Sequence, residues 1–414
     1  MNSPTGTTTG TTARYAGIDW ASADHAVCVL DQDGSVVRRL TVGHTRSELR
    51  RLVELLGELG VARVGIERPD GPVVEALLGA QLPVAVVAPR MVKNLRSRHR
   101  GAGKDDRFDA YVLADAIRTD GHRLTDLQPD SPATKGLRAL VRARQDLVEV
   151  RVGLVNQLRH TLELAFPGAV GLFFDLHSPI ARAFLRRFPT AADAARLDEQ
   201  SMSAWLHGEG YCGRTPAQTF VQRLRTAPHG LTGVEADARK HVTMALLTAI
   251  DAVESQATDL ARRIKEALRK HPDRNVFTSL PRAGQIRAAA LLAEIGDARG
   301  RYPTWESLAA AGGACPVTHA SGKHHSVGFR YGADANLRRA LTDFADDSRL
   351  ANDWAADIYR RARARGMRHP HAVRVLARAW TIVIWRCWQN NEPYDTTRHA
   401  GLQRHLEQQA AAAA

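Results

Sequence analysis

The stretch Tyr15-Ala-Gly-Ile-Asp-Trp-Ala21 decides how the first third of this chain is read. It is a short apolar run broken by one carboxylate, Asp19. A second strand-like run follows from Ala26 to Leu30, then the turn Asp31-Gln-Asp-Gly34. Two successive runs of this kind separated by polar residues predict a hairpin, with side chains alternating between faces. Further along, Val64-Gly-Ile-Glu67 closes another apolar run on a carboxylate. Lys104-Asp-Asp-Arg-Phe-Asp-Ala-Tyr-Val-Leu-Ala114 then places Asp106 and Asp109 three residues apart, on one face of a helix. Carboxylates delivered from strand ends and a helix, far apart in sequence, are what a bridging pair of Mg²⁺ ions requires.

Around these residues, β-branched runs (Ser35 to Leu40, Ala62 to Ile66, Val84 to Val87) alternate with helical periodicity at Ser47 to Leu59 and Val73 to Leu78. Hairpin strands followed by alternating helices and strands predict a mixed α/β sheet of the ribonuclease H type over residues 14–130. The character changes after Pro129-Asp-Ser-Pro132. Residues 134–165 read as one amphipathic helix decorated by Arg138, Arg142, Arg144, Arg151 and Arg159, and a second long helix is expected from Glu235 to Lys270. The two could pair within the chain or across an oligomer. Residues 131–275 therefore form a long-helix, coiled-coil middle with an insertion of short helices. Residues 276–400 form an all-α C-terminal region, flanked by tails at 1–13 and 401–414. In that region Leu280-Pro-Arg-Ala-Gly284, followed by Ile286 to Ile295, resembles a helix-hairpin-helix whose turn could offer backbone N–H groups to a phosphate. Trp380, Trp385 and Trp388 share an apolar helix and read as core or interface.

The bulk numbers point to a polyanionic partner. The chain has 414 residues and a formal net charge of +13, with a pI of about 10.1, which favours nucleic acid. A basic stretch (Arg90, Lys93, Arg96, Arg98, Arg100, Lys104, Arg107) precedes and overlaps the paired aspartates and suits backbone phosphate. Cys28, Cys212, Cys315 and Cys387 are dispersed, as for reduced thiols in a cytosolic protein. No apolar run approaches the roughly twenty residues of a membrane helix.

A second constellation lies at residues 315–341, a Gly-punctuated polar loop holding Ser321, Lys323, Arg330, Arg338 and Arg339. A hydroxyl among cations suits attack on a phosphodiester. Composition alone favours a turn serine in a phosphate-binding loop, with no covalent role. His319, His324 and His325 lack the Cys partners and spacing of a zinc site and read better as phosphate contacts or acid/base groups.

Taken in order, Gly17-Ile-Asp-Trp-Ala, Gly65-Ile-Glu-Arg-Pro, Lys104-Asp-Asp-Arg-Phe-Asp-Ala, Leu280-Pro-Arg-Ala-Gly with Leu291-Leu-Ala-Glu-Ile-Gly, and Ala320-Ser-Gly-Lys resemble the DEDD transposases of the insertion sequence 110 family (IS116/IS110/IS902 type), the bridge-RNA-guided recombinases. The resemblance covers nearly the whole chain. It implies a RuvC-like N-terminal domain in which Asp19, Glu67, Asp106 and Asp109 bind Mg²⁺, with Mn²⁺ able to substitute. Asp105 is set aside because the spacing of three matches Asp106 and Asp109. It also implies that Ser321 is a nucleophile forming a covalent link to DNA. Excision as a circle, integration at a target, a guiding noncoding RNA, and a homo-oligomer (dimer or tetramer) sharing its active site between protomers follow from the same resemblance. So does a bacterial cytoplasmic location at the nucleoid. The loop after Ser321 departs from the family pattern at His324-His325 and Gly332-Ala-Asp. A RuvC-like structure-selective endonuclease using water as nucleophile is the alternative. An actin-like ATPase would need a second Gly-rich phosphate loop, and none is found. A non-enzymatic architectural protein would require carboxylates that bind no metal.

Overall fold

The computed structural model describes residues 13–96, 105–322 and 324–413, and the side chains of Arg90, His319, His324, Gln409, Ala412 and Ala413 lie outside that description. Residues 1–12, most of the expected N-terminal tail, also lie outside it. Backbone contacts divide the chain into two units: residues 1–130 with 298–303, and residues 131–297 with 304–414.

The first unit is built on a mixed sheet. Strands β1 (Arg14–Trp20), β2 (Asp24–Leu30) and β3 (Val36–Gly43) form an antiparallel meander, and β4 (Val61–Ile66) and β5 (Val84–Val86) run parallel to β1. The order is β3-β2-β1-β4-β5, so β1 is central. Helix α1 (Arg46–Glu58) joins β3 to β4; Thr45 caps it by accepting the Glu48 N–H, and Leu49, Leu52 and Leu56 bury its inner face. Helices α2 (Pro72–Gly79), α3 (Pro89–Arg96) and α4 (Asp106–Asp120) complete the unit.

The two faces of the sheet carry different loads because β side chains alternate. Ala16, Ile18, Val27 and Val29 pack with α1 and α2. Ala26, Cys28 and Leu30 face Ala110 and Ala114 of α4. Gly17 and Gly65 are flush against α4: a Cβ on Gly17 would lie 2.1 Å from the Ala110 carbonyl oxygen, and one on Gly65 2.6 Å from Ile117. The absent side chains let α4 lie directly on β1 and β4. This architecture, a mixed α/β sheet followed by a mostly helical region, is compatible with a RuvC-like DEDD domain.

In the second unit the two long helices anticipated from periodicity are α5 (Pro132–Ala165) and α10 (Gly233–Lys270). They pair within the chain, and Arg151 of α5 meets Glu254 of α10 at 2.8 Å. Helices α6 (Pro179–Arg187), α7 (Ala191–Ala194), α8 (Glu199–Gly208) and α9 (Ala217–Thr226) lie between them in sequence and close an aromatic core of Phe166, Phe173, Phe184 and Phe220 against Leu158, Leu162, Leu247 and Ile250. Helices α11 (Arg274–Thr278), α12 (Gly284–Ile295) and α13 (Trp305–Ala311) come next. Strands β6 (Val317–Ser321) and β7 (His324–Gly328) follow, then α14 (Ala335–Ser348), α15 (Asp353–Ala364), α16 (His369–Asn390) and α17 (Ala400–Ala413).

Several arginines of α5 are half-buried and bound within the chain, while Arg159 is exposed. Arg142 forks onto Glu294 at 3.0 and 2.7 Å, and Arg138 donates to the Ala293 carbonyl at 2.6 Å. Trp380 and Trp388 are core residues, with indole N–H groups donated to Ser348 Oγ and the Gly296 carbonyl. The C-terminal region is mostly helical but not all-α as expected, and the region around Ser321 is not the polar loop read in the sequence: it is an antiparallel hairpin, with Ser321 opposite His324 and Val317 opposite Gly328. Gly322, at φ +56° just past the end of β6, adopts the left-handed conformation that lets a Gly-punctuated run turn back. Among the described residues no helix is long and apolar enough to cross a membrane.

Candidate metal centre and serine hairpin

Asp19 and Glu67 are brought together by strand register. The last parallel partners of β1 and β4 are Ile18 and Ile66, and each carboxylate is the next residue along its strand. Gly17 and Gly65, two positions earlier, face α4. Alternation therefore puts Asp19 and Glu67 on the same side of the sheet as α4.

Asp106 and Asp109 occupy the first turn of α4, and Asp105 is its N-cap, accepting the Arg107 N–H. The neighbouring acid thus has a backbone task of its own, while Asp106 and Asp109 are left on the helix face. Asp109 is buried at 5 % exposure, and Asp106 is exposed.

Electrostatics ties the group together. Burial, then the charges of Asp109, Asp106 and Glu67, raise the Asp19 carboxyl to about 6, against the opposing pull of Arg96. Four acids converge where the facing cation is Arg96 of α3, ion-paired to Asp109 Oδ2. The other oxygen, Asp109 Oδ1, is buried without a hydrogen-bond partner. A buried acceptor left open among mutually repelling carboxylates fits a hard, oxygen-seeking divalent cation. In this conformation no three His, Cys, Asp or Glu side chains among the described residues close into a metal-holding group. The Arg96 guanidinium stands within the acidic cluster as its counter-charge.

Behind the carboxylates, on the opposite face of the sheet, lies a cluster that the sequence reading did not single out. Trp20 follows Asp19 and Arg68 follows Glu67, and the Arg68 guanidinium stacks over the Trp20 ring at 4.3 Å. Arg68 is held from its far side by Asp70 at 3.2 Å. His25 stacks beneath Trp20 and hydrogen-bonds His44 at 2.9 Å. Burial, then His44, lowers the His25 pKa. Past the last backbone partners, this stack joins the two strand ends that carry Asp19 and Glu67. The sequence signal was present: residues i+1 to two same-face carboxylates must share the other face.

The predicted nucleic-acid contacts divide into several groups. Lys93 and Arg107 are exposed on α3 and α4, and Arg96 is committed to Asp109. Arg98, Arg100, Lys104 and Lys323 lie outside the described residues, as does the side chain of Arg90. In the second unit Ser321 is exposed at the hairpin tip. Arg330 donates to the Cys315 carbonyl at 3.3 Å, Arg338 to the Arg330 carbonyl at 3.1 Å, and Arg339 pairs with Glu149 at 2.6 Å. Arg330 and Arg338 brace the base of the hairpin, and Arg339 ties α14 to α5.

Comparison with known proteins places this architecture in a family. Residues 16–167 match the model of the DEDD_Tnp_IS110 transposase domain, and residues 274–360 match that of the IS116/IS110/IS902 transposase family. The chain is 34 % identical over 400 residues to a Streptomyces coelicolor protein named for the transposase of the IS117 mini-circle, covering 93 % of this chain and 96 % of that one. It is 28 % identical to an uncharacterised protein of insertion element IS116 from Streptomyces clavuligerus, covering 90 % and 93 %. It is 27 % identical to an uncharacterised protein of insertion element IS110 from Streptomyces coelicolor, covering 94 % and 97 %.

Proposed function

Because this chain belongs to the IS110/IS116/IS902 family of transposases, enzymes that cleave DNA and transfer its strands, we propose that it excises an insertion sequence as a circle and integrates it at a target, using a metal-bound carboxylate quartet and a nucleophilic serine. The observation that carries the metal assignment is the convergence of Asp19, Glu67, Asp106 and Asp109, with Asp109 Oδ1 buried and unpartnered. When bound there, Mg²⁺ (or Mn²⁺ in its place) supplies Lewis-acid stabilisation of charge on the transferring phosphoryl group. The N-terminal unit is then a RuvC-like nuclease domain.

Ser321 supplies the nucleophile. Its Oγ forms a bond to phosphorus as the bond from phosphorus to the leaving strand breaks. Solvent takes the serine proton, and the leaving oxygen recovers one from water. Attack by an incoming strand hydroxyl on the Oγ–P bond reverses the step and joins the new strand. Exposure at the tip of a short hairpin lets Ser321 approach a duplex without unfolding its surroundings. The carboxylates sit in the N-terminal unit and Ser321 in the C-terminal one. In this reading both act on the same phosphodiester, shared between protomers of a homo-oligomer. An element-encoded noncoding RNA chooses the sequence by pairing with donor and target, and the protein reads backbone and shape. The net charge of +13 supports such a polyanionic assembly.

The test is a denaturing gel. Protein purified with its element RNA is incubated with Mg²⁺ and labelled element-junction DNA. A protease-sensitive DNA adduct, absent from Ser321→Ala, is expected. Clean cleavage without any adduct would instead assign a nuclease that uses water.

A further inference from the structure

At the root of the serine hairpin, Phe329 lies between two guanidiniums. Arg338 of α14 is 4.7 Å from the ring centroid and Arg374 of α16 is 4.8 Å from it. The two cations belong to different helices and are drawn to one ring despite their mutual repulsion. Arg338 donates through one Nη to the carbonyls of Arg330 and Tyr331, while its Nε is buried without a partner. Arg374 is half-buried, and the charge that acts on it is that of Arg338.

From Arg374 a cleft continues along the start of α16. Arg365, Arg368 and His371 line it with Arg374, and among the described residues no carboxylate contributes to its wall. Single solvated arginines on a basic protein need no such convergence. Arg338 and Arg374, half-buried and held close, repel each other until an anion joins them, and the exposed Arg365 and Arg368 extend that positive rim. The planar guanidinium fork matches phosphate oxygens in particular.

We propose that Arg365, Arg368 and Arg374, with Arg338, form a phosphodiester-binding cleft that grips a nucleic-acid backbone beside the Ser321 hairpin. The choice of ligand rests on the transposase reading; the cleft itself does not. Ser321 stands four residue steps along β6 from Val317 at the hairpin's base, a span of about 13 Å at the rise of a strand. The cleft would fix the register of the strand on the hairpin while Ser321 does the chemistry.

The experiment uses the full chain in EDTA, so that neither the carboxylates nor Ser321 need act. Affinity for a labelled duplex DNA of unrelated sequence, and separately for a single-stranded RNA, is measured across a range of salt. Each lost phosphate contact lowers the slope of log affinity against log salt by about 0.9 on duplex DNA or about 0.7 on a single strand. Arg374→Gln and Arg368→Gln are each expected to lose about one contact, and the nucleic acid on which the slope falls identifies the strand that is gripped. Arg374→Gln also uncovers Phe329, so Arg368→Gln, away from that ring, carries the test if the first variant melts early. Wild-type slopes for Arg368→Gln on both nucleic acids would overturn the proposal. Reduced slopes in a protein that forms no Ser321 adduct would reject the serine chemistry and leave the cleft standing.

Discussion

Replacing Gly17 by alanine tests the geometry on which the metal centre depends. The added Cβ would lie 2.1 Å from the Ala110 carbonyl oxygen, 2.3 Å from the Ala114 nitrogen and 2.8 Å from Leu113 Cβ. Two of the three are backbone atoms of α4, which no rotamer change can move. To restore ordinary contact, α4 must retreat from β1 by roughly 1.3 Å. Overpacking of this kind costs about 3 kcal/mol, the upper end of its usual range. For a unit of this size that is roughly 10 °C in melting temperature. The same retreat carries Asp106 and Asp109 away from Asp19 and Glu67, and a displacement of about 1 Å in a catalytic constellation costs around a hundredfold in rate. Gly57→Ala is the control, because its Cβ would meet nothing in the last turn of α1; it should leave stability unchanged or raise it by less than about 1 kcal/mol, the helix-interior figure. Calorimetry and a strand-cleavage assay on both variants read the result. A Gly17→Ala protein with wild-type melting and wild-type cleavage would refute the reasoning, because α4 could not then lie flush on β1.

Asp19→Asn should abolish cleavage yet raise thermal stability at neutral pH. The folded carboxyl titrates at about 6 against an ordinary value of 3.8, so the native state holds the extra proton across that window and wild-type stability falls as pH rises through it. The advantage of the variant should be absent at pH 4 and complete above pH 7 in metal-free melts; parallel curves would show that the acids do not converge. Arg142→Ala should destabilise the C-terminal unit by about 3 kcal/mol or more, because Glu294 is left buried and unpaired; unchanged denaturant midpoints would count against this. Arg68→Ala removes a stack worth about 0.5–1 kcal/mol, and half-maximal Mg²⁺ for cleavage should rise two- to fivefold. Lysine at this position should restore part of the loss, and an unchanged metal requirement would mean that the stack does not position Asp19 and Glu67.

Much of the N-terminal unit was legible because its signals are local. Alternation in β1 and β2, the Asp31-to-Gly34 turn and the Asp106–Asp109 spacing each act over a few residues and agree with the sheet they help build. The pairing of α5 with α10 was legible as a possibility but not as a choice, since an apolar helix face does not name its partner. The serine segment was read as a loop because His, Ser, Gly and Lys carry little strand propensity, and cross-strand pairing overrode it. The arginines misled most. Sequence shows charge, not partners, so Arg142, Arg330 and Arg339, bound internally, looked the same as Arg374, which joins a cation cleft 45 positions beyond Phe329. Arg96 was grouped with the phosphate binders, and its pairing with Asp109 depends on how α3 packs on α4.

The central claim is that Asp19, Glu67, Asp106 and Asp109 together hold a divalent metal. Mn²⁺ binding to the full chain, followed by electron paramagnetic resonance without nucleic acid, tests it most directly. The wild type and Asp105→Asn should bind Mn²⁺ alike, since Asp105 caps α4 through the Arg107 N–H. Asp19→Asn, Asp106→Asn and Asp109→Asn should each weaken binding at least tenfold. Undiminished binding in Asp106→Asn, with loss in Asp105→Asn, would contradict the assignment and move the ligand to the neighbouring residue.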